Sequence, residues 1–178
     1  MNRNLYLYEG KIEGIFIRSL INNRKIEVGK MMEFKFAERE CSANNKIKAN
    51  KWDNVYAIID SDVVNERAIT KITNNIESIN AKNVYLLFQC NDFEDELKYI
   101  LRLKSIKGVC RKLGCLKETK TDLKNHICKM TGDLFLKLEQ SNADFSIMYT
   151  RETELSKILI EKNNKYLNNI INGIKWLK

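Results

Sequence analysis

Residues 55–88 constrain the fold most. Val55-Tyr56-Ala57-Ile58-Ile59 is an unbroken apolar run rich in β-branched residues, which reads as a buried strand. Ala68, Ile69, Ile72, Ile76 and Ile79 then recur at helical spacing, and Ala81-Lys82-Asn83 closes that segment. Val84-Tyr85-Leu86-Leu87-Phe88 is a second buried strand. Strand, helix and strand over this distance form a βαβ unit, which demands parallel strands joined by a right-handed crossover. The expected class is therefore α/β, a mostly parallel sheet flanked by helices.

The remaining chain fits around that unit. Asn4-Leu5-Tyr6-Leu7-Tyr8 is a short strand, and Ile12, Ile15, Phe16 and Leu20 mark a helix that stops at Asn22-Asn23. Residues 25–36 alternate partially around Gly29-Lys30, as one strand or a short hairpin, and the polar stretch 37–51 reads as a loop. Phe93, Leu97, Ile100 and Leu101 predict a helix opening at Asn91-Asp92, where either Asn or Asp is a good N-cap and Glu94, Asp95 and Glu96 suit the helix dipole. A second helical piece is expected over 105–116, loosened by Gly108 and Gly114. Further helix is expected over 121–139, with a break at Thr131-Gly132. Residues 145–149 read as a late strand and 152–177 as a long amphipathic helix, whose Ile-rich stripe completes the core or forms a dimer seam. The expected organisation is a core over 1–104 with a mostly helical extension, 105–178, packed on the same domain.

At 178 residues, 44% apolar and 30% charged, the chain suits a globular protein with a sizeable core. It contains no apolar run of membrane-spanning length, and Met1-Asn2-Arg3-Asn4 begins without the apolar stretch of a signal peptide, so a cytoplasmic location without membrane contact is expected. Five Cys occur without a CxxC pair, which reads as reduced thiols. A net charge of +8 is the electrostatic footprint of a nucleic-acid binder, though basic proteins of other kinds share it.

Acidic residues punctuate the strand ends. Asp60-Ser61-Asp62 follows the central strand, and residues two apart in an extended stretch point the same way, so Asp60 and Asp62 could share one hard cation. The competing reading is a turn opened by Asp. Glu9 ends the first strand beside a helix N-terminus, Gly10 permits a sharp turn or close ligand approach, and Glu13 lies one helical turn deeper. Sites in parallel α/β sheets form beyond the carboxyl ends of strands. If the first and central strands are neighbours, Glu9, Asp60 and Asp62 converge with Glu13 beside them. Such crowded carboxylates repel unless a divalent cation compensates them, and a cation on a basic protein suits phosphodiester chemistry.

Glu9-Gly10-Lys11-Ile12-Glu13 after the first strand, with the later Asp60-Ser61-Asp62, resembles the Toprim domain. The resemblance is closest to OLD-type and RloB-like Toprim nucleases, whose first motif reads approximately E-G-x-x-E. Phe88-Gln89-Cys90-Asn91-Asp92-Phe93-Glu94-Asp95-Glu96-Leu97 is similar to the RloB-like segment after the next strand, with Asp92 where that segment usually has Pro. The resemblance spans about residues 4–101. It implies a Toprim-like (Rossmann-like) fold and Mg²⁺- or Mn²⁺-dependent cleavage of DNA or RNA, tRNA included. It further implies metal binding by Asp60 and Asp62, Glu9 as metal ligand or general acid/base, Glu13 supporting a second metal, and Glu94 as a supporting acid. Gly10, Lys11 and Lys124 are the expected substrate contacts. A place in antiphage defence is implied, sometimes beside an ABC-type ATPase, which would be a separate protein because this sequence has no Walker A motif.

Other features have competing readings. His126, the only His, with Cys110, Cys115 and Cys128 matches structural zinc spacing poorly, since His126 and Cys128 diverge on a helix; a half-exposed helix residue is the plainer reading. Lys104, Lys107, Arg111, Lys112, Lys117, Lys120, Lys124 and Lys129 either track a phosphate backbone or form a solvated face. Trp52 and Trp176 fit packing better than base stacking. Two functions stand: a metal-dependent nuclease, and a non-catalytic Toprim-like module that binds nucleic acid or a defence partner, as a monomer or homo-oligomer.

Overall fold

The computed structural model describes residues 3–38, 47, 52–62 and 65–162. Four strands, β1 (Asn4–Tyr8), β2 (Lys30–Glu33), β3 (Trp52–Asp60) and β4 (Ala81–Gln89), pair in the order β2-β1-β3-β4, all parallel. Seven α-helices flank them among the described residues: α1 (Lys11–Asn22), α2 (Glu66–Glu77), α3 (Phe93–Ile100), α4 (Ile106–Leu113), α5 (Lys120–Lys129), α6 (Leu134–Gln140) and α7 (Glu154–Lys162). The fold is α/β and Rossmann-like, as the βαβ pattern requires. Residues 25–36 resolve as one short parallel strand, with α1 as the crossover that parallel pairing needs.

Side-chain alternation along the strands splits the core into two layers. Leu5, Leu7, Val55, Ala57, Ile59, Leu86 and Phe88 point to one face, where Ile69, Ile72 and Ile76 of α2 and Leu155 and Leu159 of α7 cover them. Trp52 is buried in this layer. Tyr6, Ile58 and Leu87 point to the other face, against Ile12, Phe16, Ile17 and Leu20 of α1, and α3 to α6 extend that cluster. Tyr6, Tyr56 and Tyr85 are register partners that stack across β1, β3 and β4 at 5.1 and 5.0 Å. Two register positions away, on the same face, Asn4, Asn54 and Asn83 form an amide ladder of 2.9 and 3.0 Å hydrogen bonds. These cross-strand pairs fix the register that sets where each strand ends.

Two expectations need correction, and one is borne out. Residues 145–149 are not a strand: Phe145–Ile147 is a 3₁₀ turn. Asp144 caps it, and Phe145 stacks on Phe135 at 4.9 Å and on Phe16 at 6.3 Å, so its aromatic residues serve a helical layer. The break expected at Thr131-Gly132 is present and separates α5 from α6; Asp133 caps α6 through Leu136 N–H at 3.1 Å, and Ser19 Oγ receives Phe135 N–H at 2.7 Å. The first-turn acids of α3 are more than surface partners of the helix dipole: Glu94 and Glu96 are 1% and 0% exposed. Glu96 accepts hydrogen bonds from Cys90 N–H (2.9 Å), Tyr149 N–H (3.2 Å) and Arg151 (2.7 Å), and Arg151 also lies 4.3 Å over the Tyr99 ring. Of the expected loop over 37–51 only residues 37, 38 and 47 are described, and Cys41, Trp176 and the helix beyond residue 162 lie outside the described residues.

Candidate functional site

The sheet changes direction between β1 and β3. From β1 the chain crosses through α1 to β2 on one side, then returns to β3 on the other. A crevice opens beyond the carboxyl ends of strands at such a switch point. Here it is a cleft of about 690 Å³. Its walls contain Glu9, Gly10, Lys11, Glu13, Asp60, Asp62, Glu94 and Lys124, so every residue expected at the site from the sequence reaches it.

Local chemistry explains each placement. Phe34 N–H donates to Tyr8 O at 2.8 Å, which ends the β1 ladder just before Glu9. Gly10 is the extended N-cap of α1 and supplies no side-chain cap. Glu13, in the first turn, folds its carboxylate back over Gly10; a Cβ at Gly10 would stand 2.6 Å from Glu13 Oε2. The glycine thus makes room for the acid three residues later. Behind them, α1 packs closely on β1: a Cβ at Gly14 would lie 2.7 Å from the Tyr8 ring.

Asp60 is the last residue of β3, and Asp62 follows in an exposed bend. Ser61, between them, ties this end to the β4–α3 loop. Its Oγ donates to Gln89 O at 2.5 Å and accepts from Asn91 N–H at 3.2 Å, while its N–H donates to Asn91 O at 3.2 Å. Asn91 adopts φ +68° and donates from its amide to Asp95 at 2.8 Å, a left-handed turn suited to Asn. That turn delivers Asp92, the N-cap of α3, and Glu94 to the cleft. Lys124 Nζ lies 3.1 Å from Glu94 Oε1, and Lys120 pairs with Asp92.

Burial and mutual repulsion hold protons on these acids. Desolvation first, then Asp62 and Glu13, push Glu9 up to about 7 against backbone hydrogen bonds from Asp60 and Phe36. Desolvation raises Glu13 to about 7 as well, with Glu94 and Asp92 adding to it and Lys124 opposing. Asp60 rises furthest, to about 9, through desolvation and then Glu13, Glu9, Asp62 and Asp92. Its Oδ1 is buried without a hydrogen-bond partner. Buried desolvation also raises Glu94.

Among the described residues, no three Asp, Glu, His or Cys side chains form a ready-made group for a metal ion. As donors, however, the acids fit a hard divalent cation: all are oxygen ligands, and the orphaned Asp60 oxygen lacks a positive or hydrogen-bonding partner. Glu9, Asp60 and Asp62 are the residues that would hold it.

Sequence reasoning missed several cleft residues. Arg67 and Lys71 line the opposite wall one helical turn apart on α2, and Lys35 comes from beyond β2. Their i, i+4 spacing directly after Asp60-Ser61-Asp62 was the available signal. Tyr149, at φ +58°, feels the charges of Glu13 and Asp60 from a position 89 residues along the chain from Asp60, where no local pattern announces it. His126 and Cys128 do diverge: Cys128 lines the acidic cleft, whereas His126 lines a separate surface cavity with its Nε2 3.1 Å from Leu113 O. No described helix is long and apolar enough to cross a membrane. Comparison of the chain with protein-family models, curated proteins and solved structures returned no match.

Proposed function

We propose that the chain is a metal-dependent phosphodiesterase that cleaves nucleic acid. The observation that carries this reading is the meeting of Glu9, Glu13, Asp60 and Asp62 at the carboxyl ends of two neighbouring parallel strands, in one cleft with Lys11, Lys35, Arg67 and Lys71 on its walls. Carboxylates at the floor and cations around them complement a phosphate bridged to a divalent ion. The order and spacing of those acids, which resemble the Toprim pattern, support the same reading. A Mg²⁺ or Mn²⁺ held by Glu9, Asp60 and Asp62 would supply Lewis-acid stabilisation of phosphoryl charge and a more acidic bound water.

The protein's own groups have distinct tasks. Lys11, at the exposed start of α1, and Arg67 and Lys71, in the first turns of α2, attract and orient the phosphate backbone. The α1 N-terminus adds partial positive charge beside Glu9. Glu13, raised to about 7, can exchange protons at neutral pH, the property a general acid or base needs. Ser61 ties the acid-bearing end of β3 to the β4–α3 loop that leads to Asp92 and Glu94.

The test is cleavage of labelled tRNA, single-stranded RNA and duplex DNA in Mg²⁺ or Mn²⁺, with EDTA and Asp60→Asn controls. Cutting by the parent alone, and only with metal, is expected. Undiminished cutting by Asp60→Asn or in EDTA would remove the basis of the proposal. Equal nucleic-acid binding by parent and variant without cutting would favour a binding module.

A further inference from the structure

The acids of the cleft differ in what neutralises them. On the β1 and β3 side, the strongest charges acting on Glu9 and Asp60 are all other carboxylates, and Asp60 Oδ1 is buried without a partner. On the α3 side, two ammonium groups are already in place. Lys120 pairs with Asp92, and Lys124 Nζ stands 3.1 Å from Glu94 Oε1. That oxygen, like Asp60 Oδ1, is buried without a well-aligned hydrogen bond but, unlike it, has a cation beside it. The two lysines are one helical turn apart on α5, and the two acids are two residues apart at the start of α3, so the pairs sit side by side. Glu13 lies between the halves, raised by Glu94 and Asp92 and relieved by Lys124.

We propose that the cleft takes a single divalent cation, on the Glu9, Asp60 and Asp62 side, and that the Lys124 and Lys120 ammonium groups stand where a second cation would otherwise bind. The inference rests on the metal site of the nuclease reading and adds its stoichiometry. Glu94 is 1% exposed, and a carboxylate so buried needs a permanent partner. A lysine ammonium is a compact point charge that supplies one without an exogenous ion. Glu13 is then a carboxylate supported by Lys124, in place of the second-metal ligand that the Toprim resemblance implies. Lys124 becomes a positioning residue for the α3 acids.

The experiment is titration of the full chain with Mn²⁺ at pH 7.5, reading free Mn²⁺ by its paramagnetic resonance signal. It compares the parent, Asp60→Asn, Lys124→Gln and the Lys120→Gln/Lys124→Gln double variant, with circular dichroism and melting as folding controls. One bound Mn²⁺ is expected for the parent and none for Asp60→Asn. A second, weaker Mn²⁺ is expected for folded Lys124→Gln or the double variant. Two Mn²⁺ in the parent would overturn the inference while leaving the nuclease reading intact, whether or not the lysine variants fold. A folded Lys124→Gln and a folded double variant that both still bind one Mn²⁺ would overturn it as well. No Mn²⁺ in the parent would overturn both readings together.

Discussion

Asp60 ends β3 with one carboxylate oxygen buried and unpartnered, and the charges nearest it are acids. Desolvation holds its proton to about pH 9, so without a cation the side chain is largely neutral at pH 7. Asp60→Asn is nearly isosteric with that neutral form. It should leave the metal-free melting temperature almost unchanged near pH 4, where the parent's Asp60 is protonated on folding at little cost, and raise it above the parent's increasingly as pH climbs toward 9, because folding of the parent must then return a proton to Asp60. Cleavage should be lost at every pH. Melting curves at pH 4.5 and 8, run beside a cleavage assay, check the three outcomes, and a variant less stable than the parent at pH 8 would refute the assignment. Gly10 makes a narrower case. A methyl there meets Glu13 Oε2 at 2.6 Å, the mobile end of a side chain, with no backbone atom among its closest neighbours. Gly10→Ala should therefore displace the Glu13 carboxylate and lower turnover about 10- to 100-fold, the usual effect of disturbing a group beside a metal ligand. Stability should change by less than about 1 kcal/mol, since the N-cap backbone is already extended and open to any residue. Turnover kinetics and a denaturant titration separate the two effects.

Helix α3 shows how one element serves fold and site together. Its N-cap, Asp92, and its buried Glu94 face the cleft, while Glu96, two residues on, turns inward to Arg151. Removing Arg151 strands a fully buried carboxylate. Arg151→Met should destabilise the protein by roughly 3–5 kcal/mol, and adding Glu96→Gln should recover most of that loss. Chemical denaturation of the single and double variants measures the coupling; additive losses would show that the pair does not act as a unit. Much of the sheet and of α1 to α3 was legible in the sequence, because period-2 and period-3.6 patterns report burial on one face. The acids at strand ends were legible as well, since a parallel sheet gives its strand ends a common side. Asp133 and the 3₁₀ turn at Phe145 were not. Their conformations are set by Ser19, Phe16 and Phe135, more than a hundred residues away or on another helix, and local propensity carries no trace of such partners. Glu96 was misread for the same reason: its partner Arg151 lies 55 residues further on.

At the scale of the molecule, the two-layer core fixes where the chain can place charge. Both faces of the sheet are covered, and the switch between β1 and β3 leaves the crevice where Glu9 and Asp60 meet. Packing brings the acids together and keeps them partly dry, so folding itself loads the site with protons. Glu9, Glu13 and Asp60 hold protons to about 7, 7 and 9 in the folded chain, against ordinary values of 4.5, 4.5 and 3.8. Between those limits the folded state binds more protons than the unfolded state. Their contribution to stability is therefore greatest at low pH and is lost as pH rises through the folded values. A divalent cation replaces the protons and reverses that loss, by about 2.7 kcal/mol at a hundredfold excess over its dissociation constant. The measurement that bears most directly on this account is thermal unfolding at pH 5.5 and pH 8.5, each in EDTA and in saturating Mg²⁺, for the parent and Asp60→Asn. The account predicts that Mg²⁺ raises the parent's melting temperature by several degrees at pH 8.5, far less at pH 5.5, and not at all in Asp60→Asn. An equal rise at both pH values, or the same rise in the variant, would contradict it.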